Sequence, residues 1–416
     1  MKPRVGTLIC ATAALLAFAV SAPAQADTVT DLNQQATDTL IVSAGQGPTV
    51  SVLHLAMVHG AVYDAVNSID RRHEPYLGAL RARRWYSKDA AAATAAYRVL
   101  VSLVPAQQVA LEARYRASLA AIPEGKAKAG GIAVGEAAAA QMIAARTGDG
   151  RFGPFRFPVG SEPGQWRPVL PMFVNDPAAW VARVKPFLIR DPSDFRTDGP
   201  NPLRSKRYAR EFAEVKSVGS LSSSSRTAEQ TDMARFWAEH PTAMWSRVFR
   251  QLAAGHQLGG AESSRMFATL YLTAADAIIA CWDDKARWPF WRPITAIREA
   301  DTDGNRHTDA DPSWLPLIAT PPYPEHPSGH GCLSGSIVET LRDYFGTDRA
   351  EFSATSAVSG TTRSFHRFSQ AIEEIIDARV YSGIHFRTAD EQGARLGKQV
   401  ARWREQHHLQ PAGCDR

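Results

Sequence analysis

SVLHLAMVHGAVYDAVNSID, residues 51–70, is the stretch that decides the fold class. Its apolar side chains recur every three or four positions, which places them near one face of a helix. The members of this set are Leu53, Ala56, Met57, Ala61 and Val62. The spacing therefore predicts a long helix that packs through this face.

Helical patterns also dominate on both sides of this stretch. An alanine-rich region over residues 87–145 favours helix, and helical periodicity returns at 226–239, 243–256 and 261–282. Neither a series of strands nor an internal repeat is evident. We therefore predict a mostly α fold, a multi-helix bundle with long irregular loops.

Two stretches interrupt the helical pattern. From residue 147 to about 202 the periodicity fails, and proline, glycine and aromatic residues dominate. This composition predicts a long irregular connection with short hairpins. The serine run at residues 220–225 predicts a flexible loop before the next helix.

The composition of the 416 residues is that of a globular protein. With 44% hydrophobic and 21% charged residues, the chain can bury a sizeable core, which excludes a disordered or polytopic membrane protein. Four cysteines are too few for a disulfide scaffold. The formal net charge is +5.

The first 26 residues have the pattern of a signal peptide. Lys2 and Arg4 precede an apolar run, and Ala24–Ala26 offers small residues for cleavage. Removing residues 1–26 lowers the net charge to +3, too little to indicate nucleic-acid binding. We expect a secreted or periplasmic protein that is not held in a membrane after cleavage.

The remaining chain is expected to form a single helical domain over residues 27–416. Residues 27–225 would contribute the N-terminal helices and the long loop, and residues 226–416 the helices that carry the chemistry. The sequence leaves the oligomeric state open, a homodimer included.

Three segments of the last third concentrate basic and histidine side chains. In WDDKARWPFWRP, residues 282–293, Lys285 and Arg292 flank a proline that must break the helix, so both cations are presented at a helix end. The alternative is a pair of solvated cations. Neighbouring tryptophans favour a walled pocket.

The second segment is PPYPEHPSGHG, residues 321–331. Its prolines stop any preceding helix, and Ser328 is suited to cap the next one. The Ser328 hydroxyl, the Gly329 N–H and the helix N-terminus together form a seat for an anion, with His330 beside it. A plain capping turn is the alternative.

The third segment is DARVYSGIHFRTAD, residues 377–390. Arg379 and His385 are six positions apart, which separates them in an unbroken helix. Gly383 allows a local adjustment that would let both reach one ligand. A buried core histidine is the alternative for His385 alone.

Other interpretations of these residues are weaker. DTDGNRHTDADP, residues 301–312, begins like a calcium loop but lacks the glycine and glutamate that an EF-hand requires. His326, His330 and His385 form a candidate zinc triad, but the surrounding cations would repel a divalent metal ion.

Taken together, KARWPFWRP, PSGH and RVYSGIH resemble the three-part signature of the vanadium-dependent haloperoxidases and type 2 phosphatidic-acid phosphatases. The resemblance is firm over about residues 260–400. It implies vanadate as the cofactor, with phosphate able to occupy the same site. The reactants would be hydrogen peroxide and a halide in one branch, and a phosphate ester in the other.

The resemblance also assigns roles to residues. It implies that Lys285, Arg292 and Arg379 neutralise the oxyanion, helped by donors from Ser328 and Gly329. His385 would be the vanadate ligand in a peroxidase and the phosphorylated nucleophile in a phosphatase. In either case it implies His330 as the general acid or base.

The resemblance suggests three further positions. Trp282 and Tyr323 fall where haloperoxidases shape the halide and peroxide side of the pocket. Asp390 is the candidate carboxylate that would orient His385, although it comes one position later than the aspartate of many family members. Cys281 and Cys332 flank the motifs, and we hypothesise a disulfide between them that leaves Cys414 unpaired.

The expected activity is halide oxidation by a vanadate-dependent haloperoxidase, with bromide or iodide favoured. Chain length, export and the absence of further apolar spans after the leader point away from a membrane lipid phosphatase. Two alternatives stay open: a soluble secreted acid phosphatase with a phosphohistidine intermediate, and a non-catalytic oxyanion-binding protein.

Overall fold

The computed structural model describes residues 27–413, so the predicted leader and Cys414 lie outside the described residues. Within this range the chain forms thirteen α-helices and one antiparallel hairpin. The helices are α1 (Thr28–Thr37), α2 (Pro48–Asp70), α3 (Lys88–Leu103), α4 (Gln108–Ala120), α5 (Lys126–Ala145), α6 (Lys206–Val218), α7 (Ala228–Phe236), α8 (Pro241–Gly255), α9 (Gly260–Arg287), α10 (Pro293–Arg298), α11 (Gly329–Phe345), α12 (Phe368–Tyr381) and α13 (Arg387–His407). The predicted mostly α fold is confirmed.

The hairpin was not predicted from the sequence. It pairs β1 (Arg349–Thr355) with β2 (Thr362–Arg367), and Phe352 lies opposite Phe365. These two rings stack at 5.0 Å between centroids and are buried against the helices, while most other residues of the hairpin are partly or fully exposed. Short strands of this kind carry too little apolar periodicity to be recognised.

Helix α9 runs through the centre of the bundle and packs against α2, α11 and α13. Both α2 and α9 are long and apolar enough to cross a bilayer, but 89% and 100% of those apolar windows are buried inside the protein. The main hydrophobic core includes side chains of α1, α2, α9, α11 and α13, and a second cluster includes those of α6 and α10. The division of the domain at residue 225 stays a prediction.

The irregular connection between α5 and α6 contains two short 3-10 turns and no β-strand, so the predicted hairpins are absent there. Its backbone is fixed to α9 by Asp276, a buried carboxylate. The N–H groups of Phe187, Leu188 and Ile189 donate to Asp276 at 2.6, 2.6 and 2.9 Å. This anchor holds the connection against the centre of the bundle although the connection has no regular structure of its own.

Helices α11 and α13 cross at a contact made by glycines. A Cβ atom at Gly331 would lie 2.8 Å from the carbonyl oxygen of Asp390, and one at Gly393 would lie 2.7 Å from that of Ser328. A Cβ at Gly397 would lie 2.6 Å from the amide nitrogen of Ser336. The two backbones therefore approach to a distance that only glycine permits, and this crossing fixes the start of α11.

We expect Gly397→Ala to lower the free energy of unfolding by about 2–3 kcal/mol, because the added methyl group must push two helix backbones apart. Urea denaturation measures the change. Gly255→Ala is the control, because a Cβ at Gly255 meets nothing within 4 Å; it should change stability by less than about 1 kcal/mol. Equal effects of the two substitutions would contradict the tight crossing.

Candidate active site

The three sequence motifs converge at one end of α9. Lys285 lies in the last turn of α9, Arg292 immediately precedes α10, and Ser328 caps α11. Arg379 lies near the end of α12, and His385 lies in the short connection to α13. The structure thus brings together groups that are up to a hundred residues apart in the sequence.

Gly383 provides the turn that allows Arg379 and His385 to face the same site. Its φ of 77° is in the left-handed region, which favours glycine. Helix α12 ends two residues earlier, and the chain reverses before α13 begins. The local adjustment predicted from the sequence is therefore present.

The tautomer of His385 follows from its two neighbours. Arg292 Nη1 lies 3.2 Å from His385 Nε2, and a guanidinium can only donate, so Nε2 carries a lone pair. The proton is therefore on Nδ1, which donates to Glu325 Oε1 at 3.0 Å. The same carboxyl oxygen accepts the N–H of Phe386 at 2.9 Å, which holds it in place.

Glu325 occupies the role that the sequence had assigned to Asp390. The orienting hydrogen bond to His385 comes from Glu325, whereas Asp390 lies beside the Ser328 hydroxyl. Asp390 lies in the first turn of α13, one position later than in the family pattern, and Glu325 reaches His385 from the loop before α11. The prediction for Asp390 is therefore corrected.

Arg292 and Arg379 keep buried donors without a partner. Arg292 donates to the carbonyl oxygens of Tyr323 and Ile384, both at 2.8 Å, but its Nη2 has no partner. Arg379 donates from Nη1 to the carbonyl of Trp237 at 3.0 Å, and its Nε has none. Buried donors left in this way are costly unless a ligand accepts their hydrogen bonds.

His330 offers the complementary group, a free acceptor. The carbonyl of Trp237 hydrogen-bonds its imidazole, and Nε2 is the buried ring nitrogen without a partner. Because a carbonyl only accepts, the nitrogen that faces it carries the proton and Nε2 keeps a lone pair. Trp237 thus supports both His330 and Arg379 through a backbone atom, which sequence reasoning could not have found.

Lys285 can offer a ligand its positive charge but no free hydrogen-bond donor. Its Nζ donates to the carbonyl oxygens of Pro324 at 2.7 Å, Glu325 at 3.1 Å and Pro327. These three acceptors take up all three ammonium protons. Lys285 therefore braces the loop before α11 and places a positive charge below the site.

Ser328 and Gly329 form the start of α11 as predicted. The Ser328 hydroxyl accepts the N–H of Gly331 at 3.4 Å and so caps the helix. A Cβ at Gly329 would lie 3.1 Å from the Trp282 ring, so the backbone passes closely beneath that ring. The helix N-terminus adds a partial positive charge to the site.

Burial sets the protonation states of the site. It lowers the pKa of His385 well below its usual value, and the charges of Arg292, Lys285 and Arg379 add to this effect. Burial also lowers the pKa of His330 well below its usual value, with Arg379 as the next cause. Both imidazoles are therefore neutral at pH 7 and available as a ligand, nucleophile or base.

The charged side chains leave a positive surplus. Burial raises the pKa of Glu325 and of Asp390 to about 8, against the effect of the nearby arginines, so both carboxyls hold a proton at pH 7. Burial lowers the pKa of Lys285 to about 8, which leaves most of its charge at pH 7. Lys285, Arg292 and Arg379 therefore keep a surplus of positive charge that suits a small oxyanion.

These groups fit vanadate or phosphate. The unpartnered Arg292 Nη2 and Arg379 Nε would donate to its oxygens, and the lone pair of His385 Nε2 lies beside Arg292. His326, a member of the candidate zinc triad, instead lies 2.8 Å from Thr197 Oγ1. No cluster of three metal-ligating side chains occurs within residues 27–413.

Trp282 and Tyr323 lie together beside the site, with ring centroids 5.0 Å apart. The Nζ of Lys285 lies 5.0 Å from the Tyr323 ring, and the guanidinium of Arg292 lies 4.9 Å from it.

The hypothesised Cys281–Cys332 disulfide is not formed, because both cysteines are free and buried. The Cys281 thiol instead points at the Pro327 carbonyl oxygen at 3.8 Å.

Comparison with known proteins bears on the fold that carries these residues. Residues 265–412 match the family model of the VCPO second helical-bundle domain. The structure superposes on that of the first bacterial vanadium-dependent iodoperoxidase with a TM-score of 0.79 and 24% identity, covering 92% of this chain and 97% of the other. This chain has the fold of the vanadium-dependent haloperoxidases.

Two further comparisons support the same haloperoxidase fold. The holo-type bacterial vanadium-dependent chloroperoxidase superposes with a TM-score of 0.69 and 20% identity, covering 87% of this chain and 92% of the other. The vanadium chloroperoxidase of Curvularia inaequalis is 26% identical over 183 residues, which cover 38% of this chain and 29% of that protein. The match thus spans less than a third of this curated relative. The superfamily resemblance of the three motifs is confirmed.

Proposed function

We propose that this protein is a vanadate-dependent haloperoxidase that oxidises halide with hydrogen peroxide, bromide or iodide being favoured. The observation that carries the proposal is a set of three buried atoms without hydrogen-bond partners: the donors Arg292 Nη2 and Arg379 Nε, and the acceptor His330 Nε2. They accompany His385, whose Nε2 also carries a lone pair. The similarity to solved bacterial iodo- and chloroperoxidases favours this chemistry over that of a phosphatase.

Each residue of the site has a part in the proposed reaction. Bound vanadate would supply the Lewis-acid centre at which peroxide becomes reactive toward halide. Arg292 and Arg379 would hold the oxyanion by charge-assisted hydrogen bonds, and His385 would bind it through Nε2. His330 Nε2, which is neutral and unpartnered, would accept the proton of incoming hydrogen peroxide.

Two aromatic residues beside the oxyanion site would control access to it. An apolar cleft of about 490 Å³ reaches His330, and Trp282 and Tyr323 belong to its lining. Their rings limit the water that reaches the site, which strengthens every electrostatic interaction within it. Export to the periplasm or medium, proposed from residues 1–26, would place the enzyme where peroxide and halide are available.

The test uses one purified sample freed of phosphate. Iodide and bromide oxidation by peroxide is measured before and after orthovanadate is added, and hydrolysis of p-nitrophenyl phosphate is measured beside it. We expect a saturable increase in halide oxidation that requires vanadate. Strong hydrolysis without vanadate-dependent oxidation would establish the phosphatase alternative, and tight phosphate binding without either activity would establish an oxyanion-binding protein.

A further inference from the structure

Met172 is the one exposed methionine among residues 27–413. It lies in the connection between α5 and α6 and is 58% exposed. Met233 is partly buried and packs against the core. The other methionines in this range are buried: Met57, Met142, Met244 and Met266. Because a thioether is readily oxidised to the sulfoxide, the position of the exposed one matters in a protein proposed to make an oxidant.

Met172 lies at the exposed end of the cleft that reaches His330. The cleft has a volume of about 490 Å³, and both Met172 and His330 line it. Phe152 and Val174 also line the cleft and are exposed. A small oxidant that forms beside His330 and leaves through this cleft therefore passes the Met172 side chain.

The aromatic rings near His330 are protected from an electrophilic halogen by cations. The Nζ of Lys285 lies 5.0 Å from the centroid of the Tyr323 ring and 5.6 Å from that of the Trp282 ring. The guanidinium of Arg292 lies 4.9 Å from the Tyr323 centroid. A cation near a ring attracts its π electrons, which are the electrons that an electrophile must attack. The cations of the oxyanion site therefore lower the reactivity of these two rings.

At the exposed end of the cleft, the thioether is the most reactive group. Phe152 and Val174 have no lone pair to offer an electrophile. Trp180 is buried, and its ring centroid lies 4.8 Å from that of Phe152. The sulfur of Met172 is polarisable and carries lone pairs. Met172 is therefore the side chain at this end that an outgoing oxidant attacks most readily.

We propose that Met172 is a modification site, oxidised to the sulfoxide by hypohalous acid that leaves the cleft. The inference rests on the proposed function, because halide oxidation supplies the oxidant. The sulfur forms a bond to the halogen while the halogen–oxygen bond breaks and hydroxide departs. Water then adds its oxygen to the sulfur, halide leaves, and two protons are released, one of which neutralises the hydroxide. The thioether is oxidised, and the halogen is reduced to halide.

The modification would change the exposed end of the cleft. A sulfoxide is polar, so it would interrupt the apolar surface that Met172 forms with Phe152 and Val174. Each oxidation also consumes hypohalous acid before it reaches other side chains. Because reductases convert the sulfoxide back to the thioether, the site can be used repeatedly.

The test compares two exposed methionines in one protein. Val109→Met adds a reporter on α4, where Val109 is 85% exposed and does not line the cleft. Methionine is a good helix former, so the substitution should not impair folding. The variant is given peroxide, bromide and orthovanadate, and excess free methionine in the buffer captures hypobromite that escapes. Peptide mass spectrometry measures the sulfoxide at each position.

We expect at least about fivefold more sulfoxide at Met172 than at the reporter, because Met172 meets the oxidant before the free methionine does. Hypobromite added from outside, without peroxide or vanadate, should oxidise the two positions to within about twofold of each other, since both are exposed. Equal oxidation during turnover would overturn the proposal. The same preference for Met172 with added hypobromite would also overturn it, because Met172 would then simply be the more reactive thioether.

Two further measurements separate this proposal from the proposed function. The variant is incubated with peroxide alone, and as much sulfoxide at Met172 as during turnover would overturn the proposal, because peroxide would then be the oxidant. Peroxide consumption is measured in every sample. Vanadate-dependent consumption that leaves Met172 unmodified overturns only the modification site. The absence of such consumption overturns the proposed function and, with it, the source of the oxidant.

Discussion

Replacing His385 by alanine is expected to reduce vanadate-dependent halide oxidation by at least about 1000-fold. The substitution removes the Nε2 atom that faces Arg292 Nη1 at 3.2 Å and would bind the oxyanion. Steady-state kinetics at saturating vanadate measure the loss. Calorimetric titration with orthovanadate should show weakened binding in the same variant.

The control for this substitution is His366→Ala. His366 lies on β2, is exposed, and pairs with Glu351 at 2.8 Å far from the site. Its removal should leave both oxidation and vanadate binding unchanged. Full activity in the His385 variant would show that the oxyanion does not bind where the motifs converge. A similar loss of ester hydrolysis would show that both chemistries use this histidine.

Replacing Glu325 by alanine should lower both vanadate affinity and kcat by about 100-fold. The variant leaves the Nδ1–H of His385 and the N–H of Phe386 without their acceptor, so the imidazole is free to rotate or change tautomer. Nε2 then no longer presents its lone pair reliably. Nitrogen-15 NMR of the labelled protein reports the tautomer directly, independently of turnover.

Two conservative variants separate the possible causes. In Glu325→Gln the amide oxygen can accept both N–H groups, so the loss should stay within about tenfold. Asp390→Asn tests the carboxyl first expected to orient His385, and it should leave the NMR signature of that imidazole unchanged. A tautomer shift in Asp390→Asn but not in Glu325→Ala would reverse the assignment of the orienting residue.

The three motifs predicted which side chains the fold brings together, because their chemistry is visible in residue type. Arginine, lysine and histidine at fixed spacing indicate an oxyanion, and the helix-capping serine fixes the direction of α11. The helices were predictable for the same reason, since apolar periodicity is a local property of the sequence. The sequence did not predict those residue roles that depend on a partner distant in the chain.

Glu325 illustrates this limit. It stands within the second motif, but its partner His385 lies 60 residues away, and only the folded chain shows which carboxyl reaches Nδ1. The three carbonyls around Lys285 and the Trp237 carbonyl could not be predicted either, because every residue type carries the same backbone carbonyl group. The role of the long connection also required the fold, because an irregular chain acquires its function only from the surface against which it lies.

The anchor at Asp276 bears on which parts of the connection between α5 and α6 can change in evolution. It holds residues 187–189 on the central helix, whereas Phe152, Met172 and Val174, earlier in the same connection, are exposed. Substitutions at these exposed positions can therefore accumulate without loss of the anchor on α9. A lineage could vary this part of the surface while the groups at the end of α9 stay under unchanged selection.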